Sequence, residues 1–231
     1  MMTISYEYEG ALYVNLTNRC DCACVFCLRR NGHKGSIYAD NLWLEHEPTR
    51  QEALDNLLAR DFSQYRELVF CGFGEPMYRT DDIVCLVDEL KKRVPNLPPV
   101  RINTNGHAAL FLGRDVTHEL SGRVDTVSIS LNGSTPEEYC AVTKPRQGMQ
   151  AWDAMLDFAR EHGLDYVVTG HYARIEQDPA TGRWLLKKAL YTDKDQSYVL
   201  YVLTQDQLAH TKFPLGGMDK PSIRKIALLN D

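Results

Sequence analysis

Several things are scarce in this sequence, and each shortage closes off a class of protein. No apolar run approaches membrane-spanning length, and the start from Met1 to Glu9 is too acidic and polar to be a targeting segment. Basic residues are not in surplus. A division at Leu164 leaves 17 basic against 23 acidic residues before it and 9 against 8 after it, within a net charge of −5. Neither part announces nucleic acid by charge alone, so an RNA partner has to be argued from motifs. A second CxxC pair and an HxxxH pair are both missing, which removes the usual ways to complete a four-ligand zinc site. The seven cysteines come without a secretory signal, so a reducing compartment, the cytoplasm, is expected, where thiols bind metal and do not pair.

What is present is ordinary in bulk and informative in pattern. At 231 residues, 44% hydrophobic and 25% charged, the chain can bury one sizeable core, or one domain plus a fragment. Up to about residue 163, strand-like and helix-like runs alternate, the signature of an α/β protein with a parallel sheet. Strands are predicted at Ala11–Leu16, Glu67–Cys71, Val100–Thr104 and Asp125–Leu131. Helices are predicted over Thr49–Asp61, where Thr49 and Glu52 form a capping box, over Asp81–Arg93, around Val116–Leu120, and over Met149–Glu161.

The most informative local pattern is Cys20-Asp21-Cys22-Ala23-Cys24-Val25-Phe26-Cys27, a CxxxCxxC run just past the first predicted strand. Three thiolates at this spacing would leave one iron of a four-iron cluster open to an outside ligand. The alternatives are a zinc site that uses Cys24 and Cys27, or cysteines that serve as small buried hydrophobes. The run resembles that of the radical S-adenosylmethionine (SAM) superfamily, near its TatD-associated and activating-enzyme members, over about residues 8–160. That resemblance implies an incomplete (β/α) partial barrel and a [4Fe-4S] cluster on Cys20, Cys24 and Cys27. It further implies an S-adenosyl-L-methionine cofactor, an unknown substrate and an electron donor such as flavodoxin or ferredoxin. Phe26 precedes the third cysteine, as is usual there. Gly72-Phe73-Gly74-Glu75-Pro76 stands where the superfamily holds the SAM amino group, so Gly72, Gly74 and Glu75 are expected at the cofactor. Asn105, Ser130 and Asn132 are expected to join them from later strand ends, with ordinary Asn-Gly turns as the alternative.

Near residue 160 the text changes. Leu164-Asp165-Tyr166-Val167-Val168-Thr169-Gly170-His171-Tyr172-Ala173-Arg174-Ile175, then Lys194-Asp195-Gln196-Ser197-Tyr198-Val199-Leu200-Tyr201, then Phe213-Pro214-Leu215-Gly216, resemble a PP-loop tRNA-specific 2-thiouridylase. The resemblance implies ATP near Gly170 and tRNA near His171, Lys194, Asp195 and Gln196. It also implies a small α+β fragment, with a hairpin of Ala173–Glu176 and Trp184–Lys188, a helix over Gln196–Leu203 and another over Ser222–Leu229. The family's Ser-Gly-Gly-Val-Asp-Ser phosphate loop and its two catalytic cysteines have no counterparts, so thiolation is not expected from this chain alone. The expected organisation is a core over 1–161 joined to a fragment over 162–231. The join reads as a recombination or misassembly between two parents, with a non-functional chimera as a further alternative. The strand Asp165–Thr169 is expected to extend the first sheet beside Asp125–Leu131.

Overall fold

A computed structural model of the chain describes residues 2–27, 42–133, 135–161, 167–168, 171–219 and 221. The chain forms two compact units, Met1–His162 and Gly163–Asp231.

The first unit is built on five strands: β1 (Ser5–Tyr8), β2 (Ala11–Val14), β3 (Leu68–Phe70), β4 (Val100–Thr104) and β5 (Thr126–Ile129). They lie in sequence order; β1 runs antiparallel to β2, and the remaining neighbours are parallel. Glu9 and Gly10 both have positive φ, 47° and 71°, which makes the two-residue hairpin between β1 and β2. This N-terminal strand alternates tyrosine with polar residues over only four positions and lies outside the predicted strands. Between the parallel strands run α1 (Arg50–Leu58), α2 (Thr80–Arg93), α3 (Ala108–Leu112) and α4 (Thr117–Leu120), followed after β5 by α5 (Pro136–Thr143) and α6 (Gln150–Glu161).

Local chemistry sets these elements. The Thr49 and Glu52 capping box forms as predicted and starts α1. The apolar stripe Ile83, Leu86, Val87 and Leu90 of α2 is fully buried with Leu12, Leu68 and Phe70 of the sheet. Asp81 and Asp82 lie in the first turn of α2 and Lys91, Lys92 and Arg93 in its last, matching the helix dipole at both ends. Every parallel crossover steps one strand along, so the loops after β2, β3, β4 and β5 leave the same end of the sheet.

The second unit holds β6 (Val167–Val168), β7 (Ala173–Gln177), β8 (Trp184–Lys188), α7 (Gln205–Ala209) and β9 (Thr211–Lys212). The hairpin of β7 with β8 is antiparallel, from Ala173 opposite Lys188 to Gln177 opposite Trp184, as expected. Ala173, Leu200 and Phe213 form its small core.

Three expectations are corrected. A mostly parallel α/β sheet is present, but a radical SAM-type partial barrel is not shown: among the described residues the sheet ends at β5, whose side chains alternate between exposed and half-buried. The strand expected to extend it does not do so, because Val167 and Val168 pair in parallel with Thr211 and Lys212. The helix over Gln196–Leu203 is replaced by a 3-10 turn at Ser197–Val199 that no side chain caps. The Ser222–Leu229 helix lies outside the described residues.

Candidate functional site

In the first unit the loops beyond β2, β3 and β4 converge, and their polar groups are spent on one another. Glu75 is buried. One carboxylate oxygen accepts from the Thr104 hydroxyl at 2.7 Å and the Met77 amide at 3.1 Å; the other accepts from the Asn105 amide at 2.8 Å. Burial pushes its pKa up to about 8, against the pull of those three donors. The two glycines before it are close-approach residues. A Cβ on Gly72 would strike the Asn15 side chain, and one on Gly74 would strike the Thr17 and Arg19 carbonyls. The Glu75 amide then bonds the Arg19 carbonyl at 2.7 Å, tying the β3 loop to the cysteine loop.

A buried chain of three side chains lies beside it. His107 Nδ1 is 2.7 Å from Asp21 Oδ2, and Nε2 is 2.7 Å from the Tyr139 hydroxyl. All three residues are buried. Ionised Asp21 can only accept, so Nδ1 carries a proton, and in the neutral ring Nε2 accepts from Tyr139. Asn105 Nδ2 donates to the other Asp21 oxygen at 2.7 Å. Burial would raise the Asp21 carboxyl, but the His107 and Asn105 hydrogen bonds outweigh it and hold the group below the usual carboxylate range. Burial pushes the Tyr139 hydroxyl up. His107 and Tyr139 were not predicted to meet Asp21; the sequence signal was a histidine directly after a strand-end Asn-Gly.

The cysteine loop is pinned to α5 by the Ala23 amide on the Thr143 carbonyl and the Val25 amide on the Val142 carbonyl, each at 2.9 Å. Among the described residues, the ligand atoms within 4.8 Å of one another are those of Cys20, Asp21 and Cys22, and Cys24 and Cys27 are not in that group. Cys22 is the buried cysteine of the run, and hydrogen bonds with Cys20 and Cys24, then burial, push its thiol up. Phe26 is half exposed. Ser130 is exposed and its amide continues the sheet to the Thr104 carbonyl at 2.9 Å. Asn132 Nδ2 donates to the Ser130 carbonyl at 3.3 Å.

In the second unit the structure brings most of the expected residues into one framework. The Tyr172 amide donates to the Gln196 side chain at 3.0 Å, and the Gln196 amide returns the bond to the Tyr172 carbonyl at 2.8 Å. Asp195 accepts from the Ala189 amide and the Ser197 hydroxyl, each at 2.8 Å. Burial works to raise its carboxyl, but those bonds hold it below the usual range. Lys194 is exposed at the end of a 3-10 turn, Thr192–Lys194. His171 meets the Phe213 ring edge-on, with centroids 6.2 Å apart. A Cβ on Gly216 would collide with the Ala173 carbonyl, so Phe213-Pro214-Leu215-Gly216 is packed hard against β7. Gly170 lies outside the described residues.

Comparison with known proteins finds likeness over part of the chain. The profile of the family described as "tRNA methyl transferase HUP domain" matches residues 124–231, starting before β5 and running through the second unit. Named relatives sharpen this. The chain is 48% identical over 97 residues to a tRNA-specific 2-thiouridylase MnmA of Clostridioides difficile, which is 42% of this chain and 26% of the relative. It is 54% identical over 76 residues to that of Acidobacterium capsulatum (33% of this chain, 20% of the relative). The protein of the same name from Nostoc punctiforme is 55% identical over 74 residues (32% and 21%). The chain thus spans about a quarter or less of the length of these curated relatives.

These matches overturn the radical-enzyme expectation. The relatives are named tRNA-specific 2-thiouridylases and these matches carry no radical SAM segment, so the [4Fe-4S] cluster, the S-adenosylmethionine cofactor and the flavodoxin or ferredoxin donor do not stand. Glu75 and Asn105 hold internal hydrogen bonds, Gly72 lies against the Asn15 side chain, and Gly74 lies against the Thr17 and Arg19 carbonyls. Among the described residues no helix is long and apolar enough to cross a membrane.

Proposed function

We propose that this chain acts in tRNA thiolation, as a 2-thiouridylase-related protein whose second unit presents a tRNA-recognising surface. The observation that carries this reading is the family match over residues 124–231, the span that holds Gly170, His171 and Lys194 to Gln196. Within that surface Lys194 supplies an exposed ammonium for a phosphate, while Asp195 and Gln196 fix the turn that presents it. His171 is the further tRNA-facing position and Gly170 the ATP-facing one. The 231 residues contain no Ser-Gly-Gly-Val-Asp-Ser phosphate loop, so the role proposed is recognition of the tRNA and not activation of its uridine by this chain alone.

Titration of labelled tRNA with the full chain, alongside a fully paired RNA of equal length, tests the reading. Preference for tRNA is expected. Lys194→Ala should weaken tRNA binding by about threefold to tenfold and lower the slope of log affinity against log salt by about one phosphate's worth. Equal or absent binding of the two RNAs would overturn it.

A further inference from the structure

The segment after Lys194 presents two tyrosines to solvent in an arrangement that packing does not explain. Tyr198 is 71% exposed and Tyr201 is 78% exposed, the two most exposed large hydrophobic side chains among the described residues. Nearby, Leu200 is buried in the small core with Ala173 and Phe213 and Leu203 packs against it, while Val202 is 46% exposed. The Leu200 amide bonds the Ser197 carbonyl at 3.2 Å, closing the 3-10 turn Ser197–Val199, and the Leu203 amide bonds the Leu200 carbonyl at 3.1 Å in a second turn. Leu200 and Leu203 are drawn to the small core, and Tyr198 and Tyr201 are left to solvent.

The turn is also held in place from both ends. Asp195 accepts from Ala189 and Ser197 on one side, and Gln196 exchanges two hydrogen bonds with Tyr172 on the other. Two aromatic rings on a fixed turn, four residues beyond an exposed lysine, combine π-faces with positive charge. Unstacked bases bind to that combination, whereas paired bases have no free faces to offer it.

We infer that Tyr198 and Tyr201 form a stacking platform for unpaired bases of an RNA loop, adjoining the phosphate contact at Lys194. This rests on the proposed tRNA recognition and specifies which part of the RNA is held, a single-stranded loop and not a paired stem.

The test uses the full chain with a labelled anticodon stem-loop RNA and the same RNA closed into an unbroken duplex hairpin. The Tyr198→Ala, Tyr201→Ala double variant should lose at least tenfold in affinity for the stem-loop, with an unchanged salt slope because no charge is removed. The Tyr198→Phe, Tyr201→Phe variant should keep wild-type affinity, since the rings remain. Both sets lie on the surface, and an unchanged circular dichroism spectrum would confirm that they fold. Wild-type affinity in the alanine variant would overturn the platform while leaving tRNA recognition standing. Loss of affinity in the phenylalanine variant would overturn it too, by assigning the effect to hydroxyl hydrogen bonds. A concentration-dependent dimer abolished by the alanine variant, with RNA affinity unaffected, would assign the rings to a second copy of the chain. A wild-type chain that binds neither RNA would remove both the platform and the reading beneath it.

Discussion

His107 is held at both ring nitrogens by groups from two other parts of the first unit, Asp21 of the cysteine loop and Tyr139 of α5. None of the three has water to fall back on, so the cost of removing one partner is set by what it strands. His107→Ala would leave a buried carboxylate with Asn105 as its remaining side-chain donor and a buried hydroxyl without an acceptor. A loss of about 3–5 kcal/mol is expected, read as a lower urea midpoint for the first unit. A loss under about 1 kcal/mol would mean that the three groups do not depend on one another. At this scale the sequence was a partial guide. Cys20, Cys24 and Cys27 drew attention because thiols are rare and their spacing is memorable, while Asp21, between two of them, is the residue most deeply engaged in the loop. Its partners lie at positions 105 and 107, and nothing in a linear pattern announces a contact of that separation.

Among the elements, legibility followed the strength of the local signal. The α2 stripe and the Val100–Thr104 strand stand where periodicity placed them, because burial on one side repeats at the period of the element. β1 escaped notice because Ser5–Tyr8 alternates tyrosine with polar residues and its pairing depends on the turn at Glu9 and Gly10. The Gln196–Leu203 segment is as apolar as a helix, yet Asp195 and Gln196 spend their side chains on Ala189, Ser197 and Tyr172, which fixes the chain in tighter turns. The Phe213-Pro214-Leu215-Gly216 motif, recognised as text, has a packing cause: Gly216 lies against the β7 backbone, and its own carbonyl accepts from the Leu190 amide at 3.0 Å. Gly216→Ala should therefore force the 3-10 turn at Pro214–Gly217 away from β7 and cost about 1–3 kcal/mol. Faster hydrogen exchange at Leu190 would report it. Unchanged exchange there would show that the turn gives way without loss.

For the whole molecule, the two compact units differ in what holds them. Among the described residues, the first has a continuous five-stranded sheet with α1 and α2 packed on its main core; the second has two-stranded sheets and a three-residue buried cluster. A unit of the second kind has less buried apolar surface to draw on, and its stability can respond strongly to a bound partner. That bears directly on the central claim, that the second unit recognises tRNA through the segment from Lys194 to Leu203. Hydrogen–deuterium exchange of the full chain with and without saturating tRNA tests it most directly. Slowed exchange concentrated over residues 194–203 and around His171 is predicted, with the β1–β5 sheet unchanged. Protection confined to the first unit, or none anywhere at saturating tRNA, would contradict it.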